Sequence, residues 1–129
     1  MPKINVKEIR SISKTALMQH GALDWISEEV ADAVAVSESV GNRICGLYYL
    51  ESYCEQLLSG RVDGQAAPDV QLVRSGSVYV NADDGFAQPA FSKGLPEALK
   101  IAEKNGIASM SVGRAHTCTS LGYFTKRFS

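Results

Sequence analysis

Ser109-Met110-Ser111-Val112-Gly113-Arg114-Ala115-His116-Thr117-Cys118-Thr119-Ser120-Leu121-Gly122-Tyr123-Phe124-Thr125-Lys126-Arg127-Phe128 decides how this chain is read. Ser109 to Val112 reads as a strand end, Gly113 to Thr119 as a polar loop, and Ser120 to Phe128 as a helix just begun. In open α/β proteins the loop leaving a strand's carboxyl end is where ligands and reactive groups are placed. The densest group of reactive side chains, Arg114, His116, Thr117, Cys118 and Thr119, falls in that loop.

Working back from this stretch, Ile107 to Val112 is the final strand. A helical pattern precedes it from about Gln88 to Asn105, with Leu95, Leu99, Ile101 and Ala102 as its apolar positions and Gly106 as its stop. Pro96 lacks an amide donor and is expected to kink or restart that helix. Val70 to Arg74 and Val78 to Asn81, separated by Ser75-Gly76-Ser77, read as a hairpin. Three helices come first. Val6 to His20 carries Ile9, Ile12, Ala16 and Leu17 on one face, with Gly21 after it. The second is expected to start at Ser27 as N-cap, with Glu28 and Glu29 at the positive end of the helix dipole. It turns Val30, Ala33, Val34 and Val40 inward. The third runs from about Gly46 to Ser59 with Leu47, Leu50, Cys54, Leu57 and Leu58 on one stripe, and Gly60 ends it. The order is three helices, two strands, helix, strand, helix start. This is a mixed α/β chain with a helical segment over 1–69 and the start of a sheet-and-helix core over 70–129.

Composition narrows the class. The chain has 129 residues, 45% hydrophobic and 21% charged, enough for one ordinary globular core. A formal net charge of −1, with its cationic residues scattered, gives no electrostatic case for nucleic acid or anionic membrane. No apolar run reaches the roughly 18 residues of a membrane span, and the first residues lack the apolar core of a signal peptide. Cys45, Cys54 and Cys118 form no CxxC pair and suit reduced thiols, so a cytoplasmic protein is expected.

Two groups of side chains carry candidate chemistry. Cys45, Tyr49 and Tyr53 are spaced i, i+4, i+8, which lines them along one helix face if the third helix begins by Cys45. A thiol and two phenols there can line a pocket; the plainer reading is two tyrosines flanking the core with their tips in water. His116 titrates near neutrality and, on a strand-exit loop, can pass a proton to or from a substrate oxygen. A loop histidine bonded to a neighbour is the plainer reading. His116 and Cys118 are two metal ligands at most where zinc wants three or four, so no metal is expected. A nucleophilic pair of His116 with Cys45 or Cys118 has no visible activation of either thiol. Gly113 and Gly122 make neither GxGxxG nor a P-loop.

Taken together, the chain resembles the malate/L-lactate dehydrogenase family, the NAD(P)-dependent oxidoreductases separate from the Rossmann-type enzymes. The resemblance is carried by Tyr53 through Pro68, by Val80-Asn81-Ala82-Asp83-Asp84-Gly85-Phe86-Ala87-Gln88, by Lys104-Asn105-Gly106-Ile107-Ala108, and by the His116 loop leading to Gly122-Tyr123. It implies a non-Rossmann dehydrogenase fold, a homodimer, NAD or NADP as cofactor, and hydride transfer at C2 of a small 2-hydroxy, 2-oxo or cyclic imino acid. It implies His116 as the acid/base, although an ungapped count back from Tyr123 puts Thr117 at that position. It implies Tyr53, Tyr49 and Cys45 at the substrate, with Thr117 beside them. Cofactor-binding residues are expected beyond Ser129.

The departures from the family pattern are specific. Ile44-Cys45-Gly46 stands where Ser-His-Gly is usual, and Tyr49 stands where a carboxylate-gripping arginine is expected. A phenol does not replace a bidentate guanidinium, so the resemblance does not point to malate or lactate. The expectation is the N-terminal portion of an oxidoreductase, with a sheet edge and an apolar face left uncovered. The rival expectation is a non-catalytic binding or assembly module of the same fold. A third, a thiol enzyme using Cys45, predicts fast stoichiometric alkylation that a substrate analogue blocks.

Overall fold

A computed structural model of the chain describes residues 3–116 and 118–128. Helix α1 spans Val6–Gln19, α2 Asp24–Ser39 and α3 Leu47–Leu58, with a short 3-10 turn at Arg43–Cys45 between the last two. Strands β1 (Asp69–Arg74) and β2 (Ser77–Asn81) form an antiparallel hairpin, α4 (Ala87–Asn105) crosses over, β3 (Ser109–Gly113) returns parallel to β2, and α5 (Leu121–Lys126) follows. The sheet order is β1-β2-β3. The element order read from the sequence is the observed one.

The helices start and stop for local reasons, some of which the pattern did not reveal. Asn5 caps α1: its side chain accepts from the Glu8 amide while Glu8 accepts from the Asn5 amide, a reciprocal capping box. Helix α2 begins three residues before the expected Ser27 cap, at Asp24, and Ser27 is buried inside it. The acidic residue in its first turn is Asp24 rather than Glu28 and Glu29. Helix α4 runs through Pro96 as one element. Pro96 lies on the exposed side of the helix, away from the face that packs on the sheet. Gly106 ends α4 with φ of 81°, a left-handed conformation that glycine adopts without steric cost.

Apolar side chains gather in two clusters. Ile9, Leu17, Ile26, Val30, Val34, Tyr53, Leu57, Val62 and Phe86 join the three front helices. Val78, Val80, Ala82, Ala90, Ala98 and Ile101 seat α4 on one face of the sheet, with Val70, Met110 and Val112 at its margin. Ile12, Val40, Leu58 and Leu99, expected inward, are exposed instead, and Tyr53, placed beside the stripe, is at its centre. A 3.6-residue period allots a face about 100° wide, and residues at its border go to whichever side has room.

Contact between α4 and the sheet is close at Gly94, where an added Cβ would run into Val80 Cγ2 and Met110 Sδ. Gly94→Ala is expected to lower stability by about 1–3 kcal/mol through overpacking, read as a lowered urea midpoint. An unchanged midpoint would show that α4 can lift off the sheet at little cost. Among the described residues both outer strands of the sheet, β1 and β3, are paired along one edge only. Leu72, Ile107 and Phe128 are exposed.

Candidate active site at the parallel strand ends

Because β2 and β3 are parallel and in register, with Asn81 opposite Gly113, both strands release their loops at the same end of the sheet. Those loops, 82–86 and 114–120, stay together through backbone hydrogen bonds. Ala82 N donates to Gly113 O at 2.9 Å, Asp84 N to Arg114 O at 3.0 Å, His116 N to Gly85 O at 2.8 Å and Ala87 N to His116 O at 3.3 Å. The pairing of Phe86 with His116 continues the parallel sheet by one isolated bridge. Asp83, Asp84 and Arg114 have positive φ, and the Arg114 guanidinium clamps the Asp84 carboxylate across the two loops. Asp tolerates the left-handed region better than most residues, and the backbone bonds hold the rest of the strain.

His116 is half-buried, and it is its backbone that secures its place. Desolvation, and then the charge of Arg61, hold its imidazole below the usual 6.5. At neutral pH it is therefore mostly uncharged, able to take a proton. With the folded value depressed, the protonated form appears only as pH falls below that range. Arg61→Gln is expected to move the His116 midpoint upward in an NMR pH titration, since it removes a repelling charge; a midpoint that stays put would assign the shift to burial alone.

Tyr53 is 0% exposed, so the reading of it as a phenol with its tip in water does not hold. Its ring meets Tyr49 edge-on at 5.0 Å and Phe86 at 5.3 Å, and Phe86 is the residue bridged to His116. Its hydroxyl lies 2.9 Å from Thr119 Oγ1 and accepts from Gln88 Nε2 at 3.3 Å. Burial pushes its ionisation up to about 12, so it stays a neutral phenol. Tyr49 and Cys45 are half-buried, and both lie close enough to disfavour a phenolate at Tyr53. Cys45 belongs to the 3-10 turn and not to α3, so Cys45, Tyr49 and Tyr53 do not share one helix face. The start of α3 is held by Glu38, which accepts from the Leu47 amide at 2.8 Å. Thr117 lies outside the described residues.

The structure thus links Tyr49 and Tyr53 to the loop of His116 through Phe86 and Thr119. Thr119, one of the reactive residues of the strand-exit loop, takes part in this arrangement together with Gln88 and Arg61, which no spacing in the sequence marks. Gln88 lies within a segment that carries the family resemblance, but no periodicity marks it as a partner of Tyr53. Beside the loop, Ala87, Phe91, Val112, Ala115, Cys118 and Phe124 line a hollow, mostly apolar, of the kind that takes one face of a flat ring. Among the described residues no three His, Cys, Asp or Glu side chains converge as a metal ion requires. No helix among them is long and apolar enough to cross a membrane.

A small mixed sheet, a crossover helix and two loops laced at the carboxyl end of its parallel strand pair define the class. The sequence profile of the malate/L-lactate dehydrogenase family matches residues 4–129, and the chain belongs to that family. It is 30% identical over 119 residues to the delta(1)-pyrroline-2-carboxylate/delta(1)-piperideine-2-carboxylate reductase of Pseudomonas putida, covering 92% of this chain and 35% of the relative. It is 32% identical over 113 residues to the (2R)-3-sulfolactate dehydrogenase (NADP(+)) of Chromohalobacter salexigens, covering 88% of this chain and 34% of the relative. The crystal structure of delta1-piperideine-2-carboxylate reductase from Pseudomonas syringae superposes with a TM-score of 0.95 at 25% identity, over 99% of this chain and 39% of that one. The chain spans about a third of the length of the curated relatives it matches.

Proposed function

We propose that this chain is the N-terminal part of an NAD(P)-dependent oxidoreductase that transfers hydride between nicotinamide and C2 of a small 2-hydroxy, 2-oxo or cyclic imino acid. Membership of the family over residues 4–129 carries the reading. Similarity to reductases named for cyclic imino acids favours that substrate class over malate, as does the presence of Cys45 and Tyr49 in place of a histidine and an arginine. We read residues 1–69 as the helical wall of the substrate pocket and 70–129 as the start of the catalytic core. A cytoplasmic homodimer completes the proposal, and NAD and NADP remain equal candidates.

The apolar hollow around Ala87, Phe91, Val112 and Phe124 fits a nicotinamide face. No glycine-rich loop among residues 3–116 and 118–128 offers a cradle for the pyrophosphate. Bound nicotinamide supplies or accepts the hydride. His116, uncharged at neutral pH, takes the hydroxyl proton in the oxidation direction and, once protonated, returns it to oxygen or nitrogen in reduction. Thr117 is the neighbouring position proposed to touch the substrate. Tyr49 and Cys45 shape the pocket without adding charge.

The test is a spectrophotometric assay of the intact protein with NADH and NADPH against pyrroline-2-carboxylate, piperideine-2-carboxylate and simple 2-oxo acids. Turnover with a cyclic imino acid supports the reading, and saturable cofactor binding without turnover on any acid would remove it. The second reading, a non-catalytic binding module, is favoured by Cys45 and Tyr49 standing in place of a histidine and an arginine. That reading expects no saturable NADH or NADPH signal.

A further inference from the structure

We propose that Thr119 is the residue through which the buried Tyr53 acts on the acid substrate, its hydroxyl held so as to donate a hydrogen bond to a carboxylate oxygen. The inference rests on the function proposed above. It starts from a constraint on Tyr53, which is fully buried and so reaches no ligand itself. Only Thr119 Oγ1 and Gln88 Nε2 meet its hydroxyl among the described residues.

The direction of the chain follows from counting protons. Gln88 is also fully buried, and its Oε1 has no partner. Turning the amide over would instead strand an NH2 group in the core, and buried N–H groups without acceptors are rarer than unpaired carbonyls. The amide therefore donates to the Tyr53 oxygen. A phenol has one proton, and a buried O–H without an acceptor is costly, so Tyr53 donates to Thr119. Thr119 Oγ1 then accepts from Tyr53, and its own proton has no acceptor among the described residues. Gln88 to Tyr53 to Thr119 is a one-way chain that ends, among the described residues, in a donor without an acceptor.

The position of that donor is unusual. Thr119 has φ of 41°, a left-handed conformation that a β-branched residue adopts only under constraint. It is half-buried and sits three positions after His116 in the same loop. The bond to Tyr53 is the one interaction of its side chain found among the described residues. A carboxylate accepting there gains a directed donor without introducing a cation into the pocket, which suits a chain whose Cys45 and Tyr49 supply none. Tyr53 and Gln88 are positioning residues in this scheme.

Thr119→Val and Thr119→Gly in the intact enzyme test it, with Thr119→Ser as rescue. The glycine variant keeps the fold testable, because glycine relieves the positive φ while removing the hydroxyl. Both are expected to raise KM for the acid about 10- to 100-fold, the worth of a hydrogen bond to a charged group, with KM for the nicotinamide unchanged. Thr119→Ser should restore wild-type KM to within about threefold. Calorimetric binding of pyrrole-2-carboxylate to the same proteins without cofactor should show the same losses. An increase confined to nicotinamide KM, or equal affinity for the carboxylate probe in all variants, overturns the proposal. Wild-type protein that binds the probe but turns over no acid overturns only the function proposed above. Failure of wild-type protein to bind the probe overturns the role of Thr119.

Discussion

Replacing His116 by alanine in the intact enzyme is expected to lower kcat by about 10²- to 10⁴-fold, the usual worth of a positioned acid or base. The loop should survive the change, because His116 is held by its amide donating to Gly85 and its carbonyl accepting from Ala87. The loss should therefore appear in kcat with little shift in thermal midpoint. The pH profile adds a second signature. With the imidazole held below its ordinary range, rates in the oxidation direction should rise with pH through that depressed midpoint and then level off, and reduction should show the opposite slope. In the variant both slopes should vanish. Unchanged turnover in His116→Ala would take the proton-transfer role away from this residue.

Tyr53→Ala should have the largest effect on stability, about 3–5 kcal/mol, the range for removing a large buried aromatic ring. The ring touches both Tyr49 and Phe86, and it sits in the cluster that ties α1, α2 and α3 to the loop before α4. Tyr53→Phe keeps that packing and removes only the hydroxyl. It strands the Gln88 amide and returns Thr119 to water, for an expected cost of about 1–3 kcal/mol. Urea unfolding of the two variants separates the contributions. If the alanine variant loses no more than the phenylalanine variant, Tyr53 serves the core through its hydroxyl and not its ring.

Much of this was legible in the sequence. The apolar periods of α1, α3 and α4, the Ser75-Gly76-Ser77 turn and the glycine stops at Gly60 and Gly106 each reflect a local rule of backbone geometry, and those elements stand where the rules put them. The failures also have local causes. Pro96 sits on the exposed face of a long helix packed along its other side, so tertiary contact outweighs one lost hydrogen bond. Cys45 falls in a 3-10 turn whose next residue, Gly46, is pressed against the Glu38 side chain, a contact that no spacing along the chain encodes. The position of His116 at a strand exit was readable because topology fixes where loops leave a sheet. The joining of Tyr53 to Thr119, 66 positions apart, arises only when helix and loop pack together.

Beside the clamp of Arg114 on Asp84, the rungs that lace 82–87 to 113–116 are hydrogen bonds between main-chain groups. Hydrogen bonds of that kind are blind to side-chain identity, so the loop can trade away almost any of its neighbours and still present position 116 at the same place. Proline is the exception, since it brings no amide to a rung. On the function proposed above, such a scaffold lets the pocket walls around Cys45 and Tyr49 change one residue at a time while position 116 stays indexed to the sheet. On that proposal, choice of substrate and transfer of the proton fall to different parts of the polypeptide.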